Sequence, residues 1–320
     1  MRPAQPALTD SGISMAFAQT QRFLVGNVIS QTFAAYFTRI LPFSGFALIG
    51  FIPTLIFIGG YIYLLLEDPS IAGLSPTGDP ADPFNLDELA MLPWIWIIAA
   101  SAGVFLLSIA TTAIWLAATA YGTFLHLRGQ PVRFWQSLQR GVAVVLPCTG
   151  ATFLIFLGAL IVGAIAIMPV FTLVPDSSLQ DSWVAAVLWL FVGFFAIFIV
   201  FAIIGVRLWI TVPAIAVEQP GVLAALRRSW NLTRGHTWRL FGILLVMWLG
   251  TLAMSMVAGI VIGVLSVFGG VTGILVGQGL NVLVSVIANA LFAVAAAVVY
   301  VELRRAKEGF GLEDIAAVFD

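Results

Sequence analysis

QPGVLAALRRSWNLTRGHTWRLFGILLVMWLGTLAMSMVAGIVIGVLSVF, residues 219–268, decides the fold. The stretch divides in two. Pro220 suits a first helical turn, where a missing N–H is harmless. Leu223, Leu226 and Trp230 then recur at helical spacing, with Arg227, Arg228, Asn231 and Arg234 opposite them. A short helix with aromatics on one face and arginines on the other suits the headgroup plane of a bilayer. From residue 240 an apolar run continues to 268, longer than the roughly 20 residues a membrane-crossing helix requires.

Working outward, the same succession occurs twice more. Val25, Ile29, Phe33, Tyr36 and Ile40 form a stripe, with Asn27, Gln31 and Thr38 elsewhere, and run into Leu41-Pro42. Phe134, Trp135, Leu138 and Val142 form another, opposite Arg133, Gln136, Gln139 and Arg140, and run into Leu146-Pro147. Phe33, Leu138 and Leu226 occupy equivalent places, and Gln130-Pro131 matches Gln219-Pro220. Apolar stretches fall at 44–66, 92–121, 146–173, 183–215, 240–268 and 277–301. The pattern predicts an all-α, polytopic transmembrane helical bundle of six spans with three interfacial amphipathic helices in a threefold internal repeat. The expected organisation is a disordered cytoplasmic N-terminal tail (1–22), a membrane domain (23–309) with repeats at about 23–127, 128–217 and 218–309, and a short cytoplasmic C-terminal tail (310–320). The alternative for the short helices is packing on protein within cytoplasmic loops. Gly269, Gly273 and Gly277 have the spacing of a close helix approach, but Gly270 and Gly279 crowd the same stretch and favour a turn.

The chain is 61% hydrophobic and only 9% charged, against about 25% charged in soluble domains, so lipid is the solvent for most side chains. With the N-terminus inside, thirteen of the fourteen bases fall in cytoplasmic segments, and Arg207 sits within a span toward its inner end. Glu67, Asp68, Asp79, Asp82, Asp87, Glu88, Asp176 and Asp181 fall outside. This obeys the positive-inside rule and predicts a multi-pass protein of a bacterial cytoplasmic membrane with both termini inside. Thirteen of the bases are Arg, either as a topology signal alone or because Arg is the better residue for bidentate phosphate contact. Anionic lipid headgroups of the inner leaflet are the expected partners, and nucleic acid is not, because the arginines lie at membrane boundaries and form no basic domain.

Catalytic signatures are absent from the sequence: there is no GxxxxGK[ST], HExxH or GxSxG, and the histidines His126 and His236 lie far apart. The single Cys148 allows no internal disulfide or thiolate metal site. No enzymatic activity and no cofactor are expected. No cleavable leader is expected either, because residues 1–22 are polar. The chemistry that remains is charge near the membrane. Arg207 costs several kcal/mol at its depth unless it snorkels or is paired, and Glu218 and Glu302 are its expected partners. One reading is a structural ion pair or a snorkelling side chain; the other is a polar cavity that receives a solute or headgroup. Asn281, Ser285 and Asn289 form a stripe on the last span that should face protein or water, either for helix–helix hydrogen bonding or as a pathway. Arg207, Glu218, Asn281, Ser285, Asn289 and Glu302 are thus the candidate polar site.

Residues 213–218 (PAIAVE), 225–235 (ALRRSWNLTRG), 300–304 (YVELR) and Glu308-Gly309 carry a further pattern. It resembles the membrane domain attached to some bacterial glycerophosphoryl diester phosphodiesterases, and similar stand-alone six-span inner-membrane proteins. The specific part covers about 205–309. The enzymatic members of that family carry a separate soluble barrel, for which this sequence has no counterpart, so the resemblance implies a membrane module without catalysis. Two functions follow as expectations: handling of lipid or a small solute, or organisation of the membrane as a scaffold. The scaffold reading has a partner bound at the cytoplasmic face, with Leu312, Ile315 and Phe319 at helical spacing in the tail.

Overall fold

The computed structural model describes residues 24–67, 94–173 and 183–308. The tails, the first outer loop beyond Glu67 and the loop carrying Asp176 and Asp181 lie outside the described residues, as do Leu312, Ile315 and Phe319. The helices are α1 (Val25–Thr38), α2 (Ile40–Glu67), α3 (Trp94–Leu127), α4 (Phe134–Ala143), α5 (Val145–Leu173), α6 (Trp183–Leu208), α7 (Thr211–Glu218), α8 (Val222–Thr233) and α9 (Thr237–Glu308). No strand occurs among the described residues. Six segments are long and apolar enough to cross a membrane: Ile40–Phe57, Ile98–Leu127, Val145–Ile165, Phe191–Glu218, Thr237–Gly269 and Val276–Glu308. Each overlaps an apolar stretch read from the sequence.

Helix α9 runs unbroken for 72 residues, about 110 Å if straight. It is not straight. Lys307 Nζ lies 2.7 Å from the Arg234 carbonyl oxygen at the other end, and a Cβ on Gly277 would fall 2.9 Å from Ile262 Cγ2. The chain therefore doubles back between these residues, and glycine lets the two arms approach. The glycine-rich reversal expected from the sequence is present, but its backbone keeps helical hydrogen bonding.

The returning arm of α9 is the core of the molecule. More than half of the residues in its span are buried, against fewer than a quarter in any other span. Val286, Ala290, Val294, Val298 and Val301 pack there with Tyr36, Phe43, Phe46, Leu240 and Ile243. Helix α7 is buried from Thr211 to Val217, save for half-buried Val212. It is set off from α6 by a turn at Trp209–Ile210.

The three short helices each precede a long one, and their burial runs in register. The pairs Thr32/Tyr36, Ser137/Gly141 and Ala225/Ser229 are buried, while Phe37, Val142 and Trp230, one residue further, are exposed. In the following long helices the second residue, Leu41, Leu146 or Trp238, is 84%, 81% and 86% exposed. Two positions later Phe43, Cys148 and Leu240 are fully buried, and three further so are Phe46, Ala151 and Ile243. In α4 and α8 the inward pair is made of small residues, since a small side chain admits the neighbouring backbone, whereas α1 turns Tyr36 inward. A Cβ on Gly141 would sit 2.4 Å from the Ile114 carbonyl oxygen. Much of the apolar stripe expected to define these helices, including Phe33, Trp135 and Leu223, is exposed on the outside of the bundle. The third junction is longer than the others: Arg234, Gly235 and His236 separate α8 from α9, where Arg39 and Val144 alone separate the earlier pairs. Gly235, at φ +89°, makes the turn.

Candidate functional site

The ends of α6, α7, α8 and the returning arm of α9 converge where the arginines lie. Glu218, the last residue of α7, accepts from Arg228 on α8 through both oxygens, at 3.1 Å from Nε and 2.9 Å from Nη2. It also receives Arg304 Nη1 at 3.2 Å and the Tyr300 hydroxyl. Arg228 Nη2 donates to Glu308 at 2.9 Å and Nη1 to its other oxygen, and Arg304 Nε reaches Glu308 at 3.1 Å. Burial alone would lower the pKa of Arg228, but hydrogen bonds to Glu308 and Glu218 and their charges raise it above its ordinary value. Two acids thus meet two bases, and the cluster is neutral by itself. Its role is to bind three helices together, because it leaves no net charge for a ligand. Neighbouring contacts do the same. Arg140 Nε donates to the Ala216 carbonyl at 3.2 Å, near the C-terminus of α7. Lys307 caps α8 through the Asn231 and Arg234 carbonyls at 2.6 and 2.7 Å, groups that a helix end leaves unpaired.

Arg207 does not join this cluster, which corrects the expectation that Glu218 and Glu302 would pair with it. The turn at Trp209–Ile210 separates it from Glu218, whose oxygens Arg228, Arg304 and Tyr300 occupy. Glu302 pairs with Arg305 at 2.7 Å, one turn along its own helix. The Arg207 guanidinium instead lies 4.2 Å over the Trp230 ring, a cation–π contact. The alignment is fixed by α8, whose Ser229 Oγ donates to the Arg207 carbonyl at 2.6 Å. Arg207 Nε is buried without a hydrogen-bond partner, and Arg207 makes no ion pair with a described residue.

Arg207 stands at the basic end of a groove of about 510 Å³ between α6 and the start of α9. Phe198, Ile199, Ile203 and Phe241 make apolar walls, and His236, Trp238 and Arg239 border the same end. Burial and the charges of Lys307 and Arg239 lower the pKa of His236, against a hydrogen bond with the Arg234 backbone that raises it. The groove adjoins the lengthened third junction. On the other side of α6 a second groove, of about 360 Å³, runs between α5 and α6 beneath Arg227 and Trp230.

The stripe on the last span belongs to neither place. Asn281 and Asn289 are exposed and Ser285 is half-buried, and Asn289 Nδ2 donates to its own helix at the Ser285 carbonyl, 2.8 Å away. Asn289 stands thirteen residues before Glu302, about 20 Å along the helix. The six sequence-derived candidates therefore fall in four separate places: Arg207 on Trp230, Glu218 in the ion cluster, Glu302 with Arg305, and the stripe. Sequence reasoning placed Arg228 and Trp230 on an interfacial helix and Tyr300, Arg304 and Glu308 in the family resemblance, but gave none of the five a place in the polar site. The spacing of Tyr300, Arg304 and Glu308, four residues apart on one helix face, is the signal that marks three of them. No group of three or more His, Cys, Asp or Glu side chains able to hold a metal occurs among the described residues.

Six membrane-length apolar helices, with no strand among the described residues, define a multi-pass membrane protein. Residues 53–303 match the family described as "Domain of unknown function (DUF7847)", and the chain belongs to that family. No curated protein and no solved structure matches it.

Proposed function

We propose that this is a non-enzymatic protein of a bacterial cytoplasmic membrane, with both termini inside, that binds the phosphate of an anionic phospholipid in the inner leaflet. The observation that carries the reading is Arg207. A half-buried guanidinium without an acid partner is costly unless an anion meets it, and this one stands at the basic end of an apolar groove. Headgroup phosphate at Arg207 and an acyl chain along Phe198, Ile199 and Ile203 satisfy both parts. The charge asymmetry of the sequence supports the orientation. Burial in register at α1/α2, α4/α5 and α8/α9 supports a threefold repeat, with the three short helices lying in the headgroup plane and their exposed aromatics toward lipid. The likeness of residues 205–309 to a phosphodiesterase-attached membrane domain is in keeping with a membrane module that lacks catalysis.

Native mass spectrometry on protein extracted with its own lipids tests the proposal. Wild type should retain an anionic phospholipid in fixed stoichiometry, and Arg207→Gln should lower its occupancy about tenfold, as expected for loss of one charged hydrogen-bonding partner. Equal retention by a variant with unchanged thermal unfolding overturns it.

A further inference from the structure

The two grooves on either side of α6 meet at one point. Trp230 borders the α5/α6 groove, and its ring carries the Arg207 guanidinium of the α6/α9 groove. Arg227 borders the second groove and precedes Trp230 by three residues on α8, a spacing that makes neighbours on a helix surface. Arg207 thus lies over the indole, exposed Arg227 stands one turn before that indole on α8, and each arginine borders its own apolar groove. Like Arg207, Arg227 makes no ion pair with a described residue. The charged cluster of Glu218 and Glu308 is already neutralised by Arg228 and Arg304. Among the described residues this end of α6 is therefore left with two arginines that no acid pairs and two hydrocarbon-lined grooves.

We propose that this end of α6 is a binding site for a phospholipid bearing two phosphates on one glycerol bridge, of the diphosphatidylglycerol class. One phosphate sits at Arg207 and the other at Arg227. The chains of one phosphatidyl half enter the α6/α9 groove and those of the other enter the α5/α6 groove, so that the lipid straddles α6 with its bridge over Trp230. Arginine suits each phosphate because its planar fork donates two hydrogen bonds at once. A lipid with one phosphate satisfies only one of the two guanidiniums, and free diphosphate leaves both grooves unfilled. The inference rests on the proposed lipid reading of Arg207 and adds Arg227, the second groove and the double-phosphate headgroup.

The test is a lipid titration of the purified, delipidated full-length protein by native mass spectrometry. The probes are diphosphatidylglycerol, phosphatidylglycerol, zwitterionic phosphatidylcholine and inorganic pyrophosphate. One diphosphatidylglycerol should bind per chain, about tenfold more tightly than phosphatidylglycerol, and pyrophosphate should not displace it. Arg227→Gln should abolish that preference while leaving phosphatidylglycerol binding in place. A Cβ at Gly158, which lines the second groove, meets nothing within 4 Å. Gly158→Leu should therefore fill that groove without disturbing the backbone and abolish the same preference with both arginines intact. Equal affinity for the two anionic lipids, or a preference that survives both variants, overturns the two-phosphate site. If phosphatidylglycerol binding is then still lost in Arg207→Gln, the single-phosphate reading stands without it. If neither anionic lipid outcompetes phosphatidylcholine, both readings fall. Displacement by pyrophosphate overturns the lipid as the source of the phosphates.

Discussion

Glu218 faces two guanidiniums and a phenol at once, so the loss of its charge is felt by three partners. In Glu218→Gln, Arg228 and Arg304 share Glu308 alone, and the cluster gains a net positive charge in a half-buried place. The expected loss is about 1–3 kcal/mol, less than for a fully buried pair because water still reaches these side chains. Thermal unfolding in detergent should show a lower midpoint, and Arg304→Gln added to Glu218→Gln should recover part of it by restoring one acid to one base. His236 acts in the opposite sense to a salt-bridged histidine. Its folded pKa lies below the ordinary value because burial, then Lys307 and Arg239, disfavour the imidazolium. The stability contributed by the neutral form is thus present above pH about 6.5 and is lost as pH falls through the folded pKa. The unfolding midpoint should fall between pH 7.5 and 5, and His236→Gln should flatten that fall. Legibility at this scale was uneven. Arg207 could be singled out because a charge inside an apolar run is conspicuous. Its real neighbour could not, because Trp230 reaches it through the contact of α8 with α6, and no spacing along the chain encodes that contact.

The short helices show how much of an element a periodicity can specify. Their existence and order were legible, since Phe33, Leu138 and Leu226 recur before each long apolar run. Which face turns inward was not, because close packing selects the small residues at Ser137/Gly141 and Ala225/Ser229 over the widest apolar stripe. With the short helices in the headgroup plane, as proposed, the outward stripe meets lipid. Leu41, Leu146 and Trp238, each the second residue of a long helix, should share one depth, about 5–10 Å below the headgroup boundary. Nitroxide labels at these three positions, in a Cys148→Ser background, should be accessible to oxygen and shielded from a water-soluble nickel chelate. Water exposure at any one of them would remove that helix from the headgroup plane. Gly141→Val offers a packing test of the same elements. Its side chain meets the Ile114 carbonyl and should destabilise the protein by about 1–3 kcal/mol, read again as a lower unfolding midpoint.

Hydropathy located six spans because backbone polar groups must be satisfied within a helix wherever water is absent. It could not reveal that the last span is the core. In lipid a protein-facing and a lipid-facing surface are both apolar, and only the preponderance of Ala and Val from Val286 to Val301 hints that this helix is meant to be closely surrounded. The threading of the whole chain can be checked with single cysteines, also in the Cys148→Ser background. Arg133→Cys should react with a membrane-impermeant thiol reagent only in inside-out vesicles, and Asp79→Cys only in right-side-out vesicles. The reverse pattern would invert the proposed orientation.

The contact between α1 and α9 has a consequence in time. Val28, Thr32, Ala35 and Tyr36 belong to the first described helix, and they are buried in a bundle in which α1 packs against the last one. As the chain emerges from the ribosome, that face stays without its partner through the synthesis of more than two hundred residues. The opening segment is thus held in suspense until the closing segment inserts. A chain that ends before α9, however well its early spans have entered the bilayer, leaves Tyr36 without the α9 side chains that cover it.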